Sequence, residues 1–534
     1  MRRLTLPITL ACILIVARFA QTAEVPTDNP LARFYEKTPD VVPTWTNNLP
    51  WGRVADIADF QGDNDTRLAK AQQSFEGKGG VVFFPAGTYV FKSDIVLDSG
   101  VVLRGADPSG NAKQDKYQPP TRFEFVKYRP SMKGAGTPIE TAFRKITLRD
   151  AITVGNCGVV NIAINRAHVY FPEAERHNTA PNRLVFGCLL RNTASADPSV
   201  PNTKYGHRPH QRFTARHRAA IHAFSGENLF IANNRIAKSG DDNFMVKPYS
   251  LIHVLDGHSQ RFRLGSSQPH EVIAIAEGVE FDYDNRPGIY ANYFGIGAVG
   301  GELPDGTPQT HPYGFRKALI IRDNYIYCSG RSAVAFCGDG TYCGHNVIRF
   351  PKGVARPTTT GLVCSDGSAT NDNRAMTMRG YRWVCEGNDY EVHSNMSFNP
   401  KIKINDGEGI MHENHHNSAV KDGKIIGNMG NRYVCLWVTN IDGLEIRGNK
   451  ITADRHAIHI LGRDRTVKNV TIADNELTAG GITVTSDKAE NITITGNRYT
   501  GESKEHITVT HLDWVRRDNK GFEEQLHVPK RRRK

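Results

Sequence analysis

The chain has 534 residues, 23% of them charged and 9% aromatic, with 49 Gly and a formal charge of +12. The excess sits at the ends: Arg2, Arg3 and Arg18 carry +3 within residues 1–23 and Lys530 through Lys534 carry +5, which leaves +4 for residues 24–529. So small an excess gives no electrostatic case for a nucleic-acid partner, and the shortage of helix-favouring runs beside abundant Gly, Asn, Thr, Ile and Val excludes a helical bundle.

Residues 1–23 have two early arginines, an apolar run and small residues before Ala23, the pattern of a signal peptide. The run is short for a membrane span, and no later segment holds about 18 uninterrupted apolar residues. The expected destination is therefore secreted or periplasmic. Residues 24–50 form a Pro- and Asn-containing lead-in, 51–529 the main domain, and 530–534 a basic, solvated tail. Cys157, Cys188, Cys328, Cys337, Cys343, Cys364, Cys385 and Cys435 remain outside the leader; an even number permits disulfides, and buried free thiols account for them equally well. Without a CxxC pair, a zinc ribbon is a poor reading.

Asp65 or Thr66 is placed to cap a short helix with Leu68, Ala71 and Phe75 on one face. Brief β-branched runs follow at Val81–Phe84, Tyr89–Phe91, Ile95–Leu97 and Val101–Leu103, separated by Gly79-Gly80, Pro85-Ala86-Gly87 and Ser99-Gly100. A helix followed by stacked short strands predicts the capped end of a solenoid. On Asp59-Phe60, Gly62-Asp63, Asp65-Thr66, Gly79-Gly80, Phe84 to Tyr89 and Ser99 to Gly105, residues 59–105 resemble the N-terminal part of the pectate-lyase-like superfamily. The resemblance implies a right-handed parallel β-helix. It does not select an activity, because lyases, hydrolases, epimerases and phage tailspikes share that fold.

A repeat is clearest near the C-terminus, where IDGLEIRGNKIT, KNVTIADNELT and ENITITGNRYT align Asn449, Asn475 and Asn497. Asn234 and Asn324 occupy the same place in earlier copies. An Asn at a fixed offset tolerates the left-handed region and bonds turn backbone, stacking coil on coil. Leucine-rich repeats have nearly this period, but the returns at 456–462 and 480–486 are β-branched and Gly-broken, so a second strand per coil fits better than a helix. Between about 248 and 317 the pattern lapses, and LIHVLD, RFRLG and EVIAIAEGVEFDYD read as longer antiparallel strands of a β-rich insertion. The expected fold class is all-β: a parallel β-helix with a short N-terminal capping helix and that insertion.

Two segments carry candidate chemistry. Asp241 and Asp242 follow a strand and the turn Lys238-Ser239-Gly240; two carboxylates so close retain one proton when desolvated, which suits acid/base cleavage of a glycoside. Residues 217 to about 340, with GDDNFMVK and AIHAFSGENLFIANNRIAKSGDDNF, are similar to the polygalacturonase-like glycoside hydrolases and to family 110 α-1,3-galactosidases. That resemblance implies catalytic roles for Asp241 and Asp242; the acid both families have one coil earlier is replaced here by Ala219-Ala220. Arg218, His222 and Lys247 are the neighbouring candidates for holding a sugar or carboxylate.

The second segment, NDGEGIMHENHHN, supplies Asp406 and Glu408 as further candidate acids, with His412 and Glu413 as substrate contacts. Its literal H-E-x-x-H binds zinc only on a helix, and on a strand the two histidines would stand ~13 Å apart at ~3.3 Å per residue. The G-x-G-x-x-G at Gly295–Gly300 is followed by a stretch that cannot open a helix, so the dinucleotide reading fails. No metal ligands are assigned; Asp282 and Asp284 offer an acidic edge for Ca²⁺, which wants several oxygens, the 405–417 segment is a second place for a metal ligand, and no other cofactor is implied.

The expected function is a secreted carbohydrate-active enzyme, a glycoside hydrolase whose partner is a polysaccharide or glycan. The alternatives are a lyase or epimerase on uronate polymers, using Lys247, Arg218 or a His as base, and a glycan-binding β-helix without turnover.

Overall fold

The computed structural model describes residues 25–125, 144–150, 154–171, 181–191, 220–223, 227–236, 250–254, 319–327, 332–339, 341–350, 374–392, 408–413, 419–437 and 440–527. The leader, the tail at 530–534, the span 255–317, Asp282 and Asp284, and the Gly295–Gly300 motif lie outside them. Among the described residues no helix is long and apolar enough to cross a membrane.

The strands wind as a parallel β-helix with three sheets. The first takes Val54–Asp56, Gly80–Phe84, Val101–Gly105, Cys157–Val160, Pro181–Phe186, Glu227–Ala232 and Leu319–Arg322, and continues to residues 492–495. The second runs from Gly87–Phe91 through Ile162–Asn165, Arg235–Ile236 and Val347–Phe350 to Arg498–Tyr499. The third runs from Ile95–Leu97 and Arg144–Leu148 through Ala167–Phe171, Ile221–Ala223, Ser250–Val254, Ser332–Asp339, Arg374–Tyr381, Glu408–Glu413 and Val434–Trp437 to Phe522–Leu526. Every one of these pairings is parallel. Most coils thus have three strands where the sequence led us to expect two.

Alternation divides each strand between core and surface. In the third sheet the row Val169, Ile221, Ile252, Val334, Met376, Ile410, Val434, Ile458, Ile482, Ile507 is in register, and the described side chains in it are buried in one continuous core. Helix Asn64–Gln73 closes the N-terminal end of that core with Leu68 and Ala71, and Phe75 joins them just past its C-cap. Its N-cap is Asp63, which accepts from Thr66 N at 3.0 Å, rather than the expected Asp65 or Thr66. Asp65 instead accepts from Lys92 N and Ser93 N, both at 3.0 Å, and ties the helix to the first coil.

The corner between first and second sheets is held by an asparagine ladder: Asn234, Asn324, Asn346, Asn388, Asn428, Asn449, Asn475, Asn497 and Asn519. Each Nδ2 donates to the Oδ1 of the next Asn at 2.8–3.0 Å. The same amide also donates to a backbone carbonyl of the preceding coil, as Asn388 does to Cys343 at 3.0 Å. These groups are almost fully buried apart from the last, so each satisfied bond is worth ~1 kcal/mol and each broken one more. The left-handed conformation falls on the residue before the ladder Asn (Asn233, Asp323, His345, Gly387, Gly427, Gly448, Asp474, Gly496), not on the ladder Asn itself.

One further expectation is corrected. Ser250–Val254, which takes in the first four residues of LIHVLD, lies parallel between Ile221–Ala223 and Ser332–Asp339, so it is a coil strand of the third sheet and not an antiparallel strand of an insertion. The lead-in packs against the domain. Its helix Pro30–Phe34 and residues Leu31, Tyr35, Leu49 and Trp51 form a second core on the outer face of the first sheet, against Val81, Val102, Val160, Leu184, Phe186 and Phe230. Fully buried Arg104 clasps Asp28 there, Nη2 to Oδ1 at 3.0 Å, and Tyr35 donates to Asp323 at 3.0 Å. Cys157, Cys188, Cys343, Cys385 and Cys435 are buried free thiols; burial pushes the first to about 11, Cys188 and Cys343 to about 12 and Cys385 well above its ordinary value, so these four are not poised as nucleophiles.

Candidate glycan-binding face

The three outer faces differ in what covers them. The first is capped by residues 28–51 over its N-terminal half, and it is apolar only there; further on it carries Lys424, Glu445 and Arg447, with Arg447 Nε 2.7 Å from Glu445. The second presents mixed charge to solvent, the register partners Lys450, Glu476 and Arg498 being an example.

The third differs again. After residue 125 the long connections are 126–143, 192–220, 237–249, 351–373 and 393–407, leading from second to third sheet, and 255–318, leading from third to first. All of them join an edge of the third sheet. From Pro181–Phe186 onward the first-to-second corner holds two residues in every coil. The ladder shows this directly: successive asparagines are 90, 22, 42, 40, 21, 26, 22 and 22 residues apart, yet the bond between them does not lengthen. After residue 125, the long connections enter only at the edges of the third sheet.

Outward positions on that face begin with Lys145, Thr147, His168 and Tyr170. His168 and Tyr170 alternate with core Val169 and Phe171, yet are themselves buried, with ring centroids 5.7 Å apart, and Lys145 Nζ stands 5.1 Å from the centre of the Tyr170 ring. Next in register come His222, beside Tyr170, and His253, beside His222. The row continues through Ala335, Thr377, Met411, Cys435, His459, Thr483 and Thr508.

The candidate residues fall as follows. Arg218, Asp241, Asp242, Lys247 and Asp406 lie outside the described residues. His222 has its backbone in the third sheet, as do Glu408, His412 and Glu413, so the two rival segments of the sequence meet one sheet. Glu408 is paired with Arg374, His412 with Leu436 and Glu413 with Trp437. Leu436 belongs to the buried core row, so His412 holds a core register position and Glu413 the alternate, outward one. His412 and Glu413 lie on a strand, which removes the helix that a zinc H-E-x-x-H requires. Among the described residues no group of three or more His, Cys, Asp or Glu is arranged to hold a metal.

Sequence reasoning missed Lys145, His168 and Tyr170. The alternation in Ala167–Phe171 marks His168 and Tyr170 as off the core, but only the register reveals that they share a row with His222. One described cleft lies elsewhere, by the N-terminal segment, lined by Thr27, Asn29, Trp51, Arg53 and Lys78. There the Arg53 guanidinium is committed to the carbonyls of Lys78 and Gly79, and the Trp51 ring is buried.

A family model described as periplasmic copper-binding protein (NosD) matches residues 389–515, less than half of the chain. No curated protein matches. Among solved structures, the catalytic unit of a GH87 α-1,3-glucanase from Streptomyces thermodiastaticus is similar at 12% identity and a TM-score of 0.41, covering 90% of this chain and 69% of that one. PfbA, a surface adhesin of Streptococcus pneumoniae, is similar at 12% and 0.41, covering 84% and 91%. The tailspike of E. coli bacteriophage HK620, solved with a pentasaccharide, is similar at 10% and 0.45, covering 89% and 78%.

Proposed function

We propose that the chain is an exported glycoside hydrolase that holds a glycan along the outer face of the third sheet. The observation that carries the reading is the gathering of every long connection after residue 125 at the edges of that sheet, while from Pro181–Phe186 onward the opposite corner stays fixed at two residues. Loops are where substrate and catalytic groups concentrate on a rigid scaffold, and here they would wall a groove. Asp241 and Asp242 precede the strand Ser250–Val254, and Asp406 precedes Glu408–Glu413. Those strands are three register steps apart, ~14 Å at ~4.8 Å per step.

An inverting pair of carboxyls stands ~6.5–9.5 Å apart and a retaining pair ~5–5.5 Å, distances that favour two acids of one segment over acids from coils three steps apart. The reading therefore gives catalysis to Asp241 and Asp242, one protonating the glycosidic oxygen and the other activating water or attacking the sugar. Arg218, His222 and Lys247 hold the sugar beside them. Asp406 and Glu413 engage the chain further along. Export, with cleavage near Ala23, completes the proposal.

The test is a screen of the purified protein on neutral and uronate-containing glycans, reading new reducing ends and the absorbance of unsaturated products together. Asp241→Asn and Asp242→Asn should each lower turnover by at least about a hundredfold, and Glu413→Gln should weaken binding more than turnover. Unsaturated products would replace hydrolysis by a lyase, and full activity in both Asp variants would remove the acid assignment.

A further inference from the structure

The C-terminal part of the third face differs in charge from the same coils' other two faces. Its outward register positions, alternating with core Val434, Leu436, Ile458, Ile460, Ile482, Val484, Ile507 and Val509, are Cys435, Trp437, His459, Leu461, Thr483, Thr485, His506 and Thr508. None of these is Lys, Arg, Asp or Glu, and acids border the stretch only at its two ends, Glu413 in register with Trp437 and Glu523 in register with His506. The same turns of chain place Lys450, Glu476 and Arg498 on the second face and Glu445 and Arg447 on the first. A solvated surface normally intermixes charges, as those two faces do.

The groups present are arranged for hydroxyls. A register shift between His456 and Ile458 brings the His456 ring alongside that of His459, centroids 4.5 Å apart and 28° from parallel. The Nδ1 of His456 is 3.1 Å from Thr483 Oγ1, and Thr483 is the register partner of both His459 and Thr508. His456, His459, Thr483 and Thr508 are half-buried and His506 is exposed. Imidazole and hydroxyl groups donate and accept, matching a sugar's alcohols, and flat rings suit its C–H face. A uronate polymer would instead call for Lys or Arg on each carboxylate. Burial, with the neighbouring His456 ring, lowers His459 to about 4, so its imidazole is neutral where such a surface would work.

We infer that His456, His459, Thr483 and Thr508 form a distal subsite for uncharged sugar units, so that the substrate is a neutral glycan and not a uronate polymer. This rests on the proposed function, since it takes the third face as the glycan groove, and it adds the substrate class.

The experiment is calorimetric titration of the full chain with α-1,3-linked galactohexaose and galactobiose, laminarihexaose and hexagalacturonate. Wild type should bind at least one neutral hexasaccharide more tightly than hexagalacturonate. His459→Ala and Thr483→Val should each weaken that hexasaccharide about five- to tenfold, as loss of one or two hydrogen bonds implies, and leave galactobiose turnover unchanged. Thr483→Lys should move preference towards hexagalacturonate. Unfolding midpoints identify any variant whose loss reflects misfolding, and Thr483→Val, nearly isosteric, keeps the test open if His459→Ala folds poorly. A wild-type preference for hexagalacturonate, no binding of any neutral hexasaccharide, or wild-type affinity in both folded variants overturns the inference. Asp241→Asn and Asp242→Asn separate the two levels: if they keep full turnover while His459→Ala still loses hexasaccharide affinity, the acid assignment falls and the subsite stands.

Discussion

The first-to-second corner and the edges of the third sheet are built from the same coils under opposite constraints. At the corner every coil from Glu227–Ala232 onward spends two residues, and the second is an Asn, bonded on both sides as Asn388 is. At the third sheet's edges the chain length between consecutive coils is free, and the ladder spacing rises from 21 to 90 residues. A solenoid fastened along one seam tolerates variation along another, so its stability and its candidate chemistry are held by different residues. This separation can be broken from either side.

The largest effect should come from inserting four Gly/Ser residues between Gly427 and Asn428, which parts the ladder in mid-run; we expect cooperative unfolding to be lost or the urea midpoint to collapse. Asn388→Ala is the milder version. It strands the backbone N and Nδ2 of Asn346, both of which donate to Asn388 Oδ1, and should cost about 2–5 kcal/mol in urea unfolding. His459 gives a smaller, pH-dependent effect. Its folded value near 4 lies below the ordinary 6.5, so as pH falls from 6.5 towards 4 the unfolded chain takes up a proton that the folded site refuses. Stability should drop through that window by at most about 3 kcal/mol, and His459→Asn should flatten the slope. The smallest effect should come from the same four-residue insertion placed within 351–373, which should change stability by less than about 1 kcal/mol because loop closure depends only weakly on length. An equal cost at both insertion sites would erase the distinction.

Much of the scaffold was legible because its signals are local. Alternation named the strands, and the repeated Asn at 449, 475 and 497 marked the corner before any bond was seen. The left-handed residue was misplaced by one position, because Asn accepts that conformation readily and only the geometry shows that the preceding Gly, Asp or His adopts it. The helix cap slipped by two residues for a similar reason: Asp63 and Asp65 are both able to cap, and the choice follows from where Lys92 and Ser93 lie. LIHVLD was misread because a single coil strand flanked by long connections has no neighbouring repeat to betray it. Which residues share a face is a matter of register between coils of unequal length, and sequence spacing alone does not supply it. Hence His222 was named on its own, while Lys145, His168 and Tyr170 beside it were not.

The claim that the glycan lies along the third face is tested most directly by side-chain oxidation footprinting with and without a saturating neutral oligosaccharide. Met411, Trp437 and His459 belong to that face, whereas Met429, half-exposed, belongs to the second. The account predicts protection of Met411, Trp437 and His459 with Met429 oxidised at an unchanged rate. Protection of Met429 with the other three unaffected would contradict it.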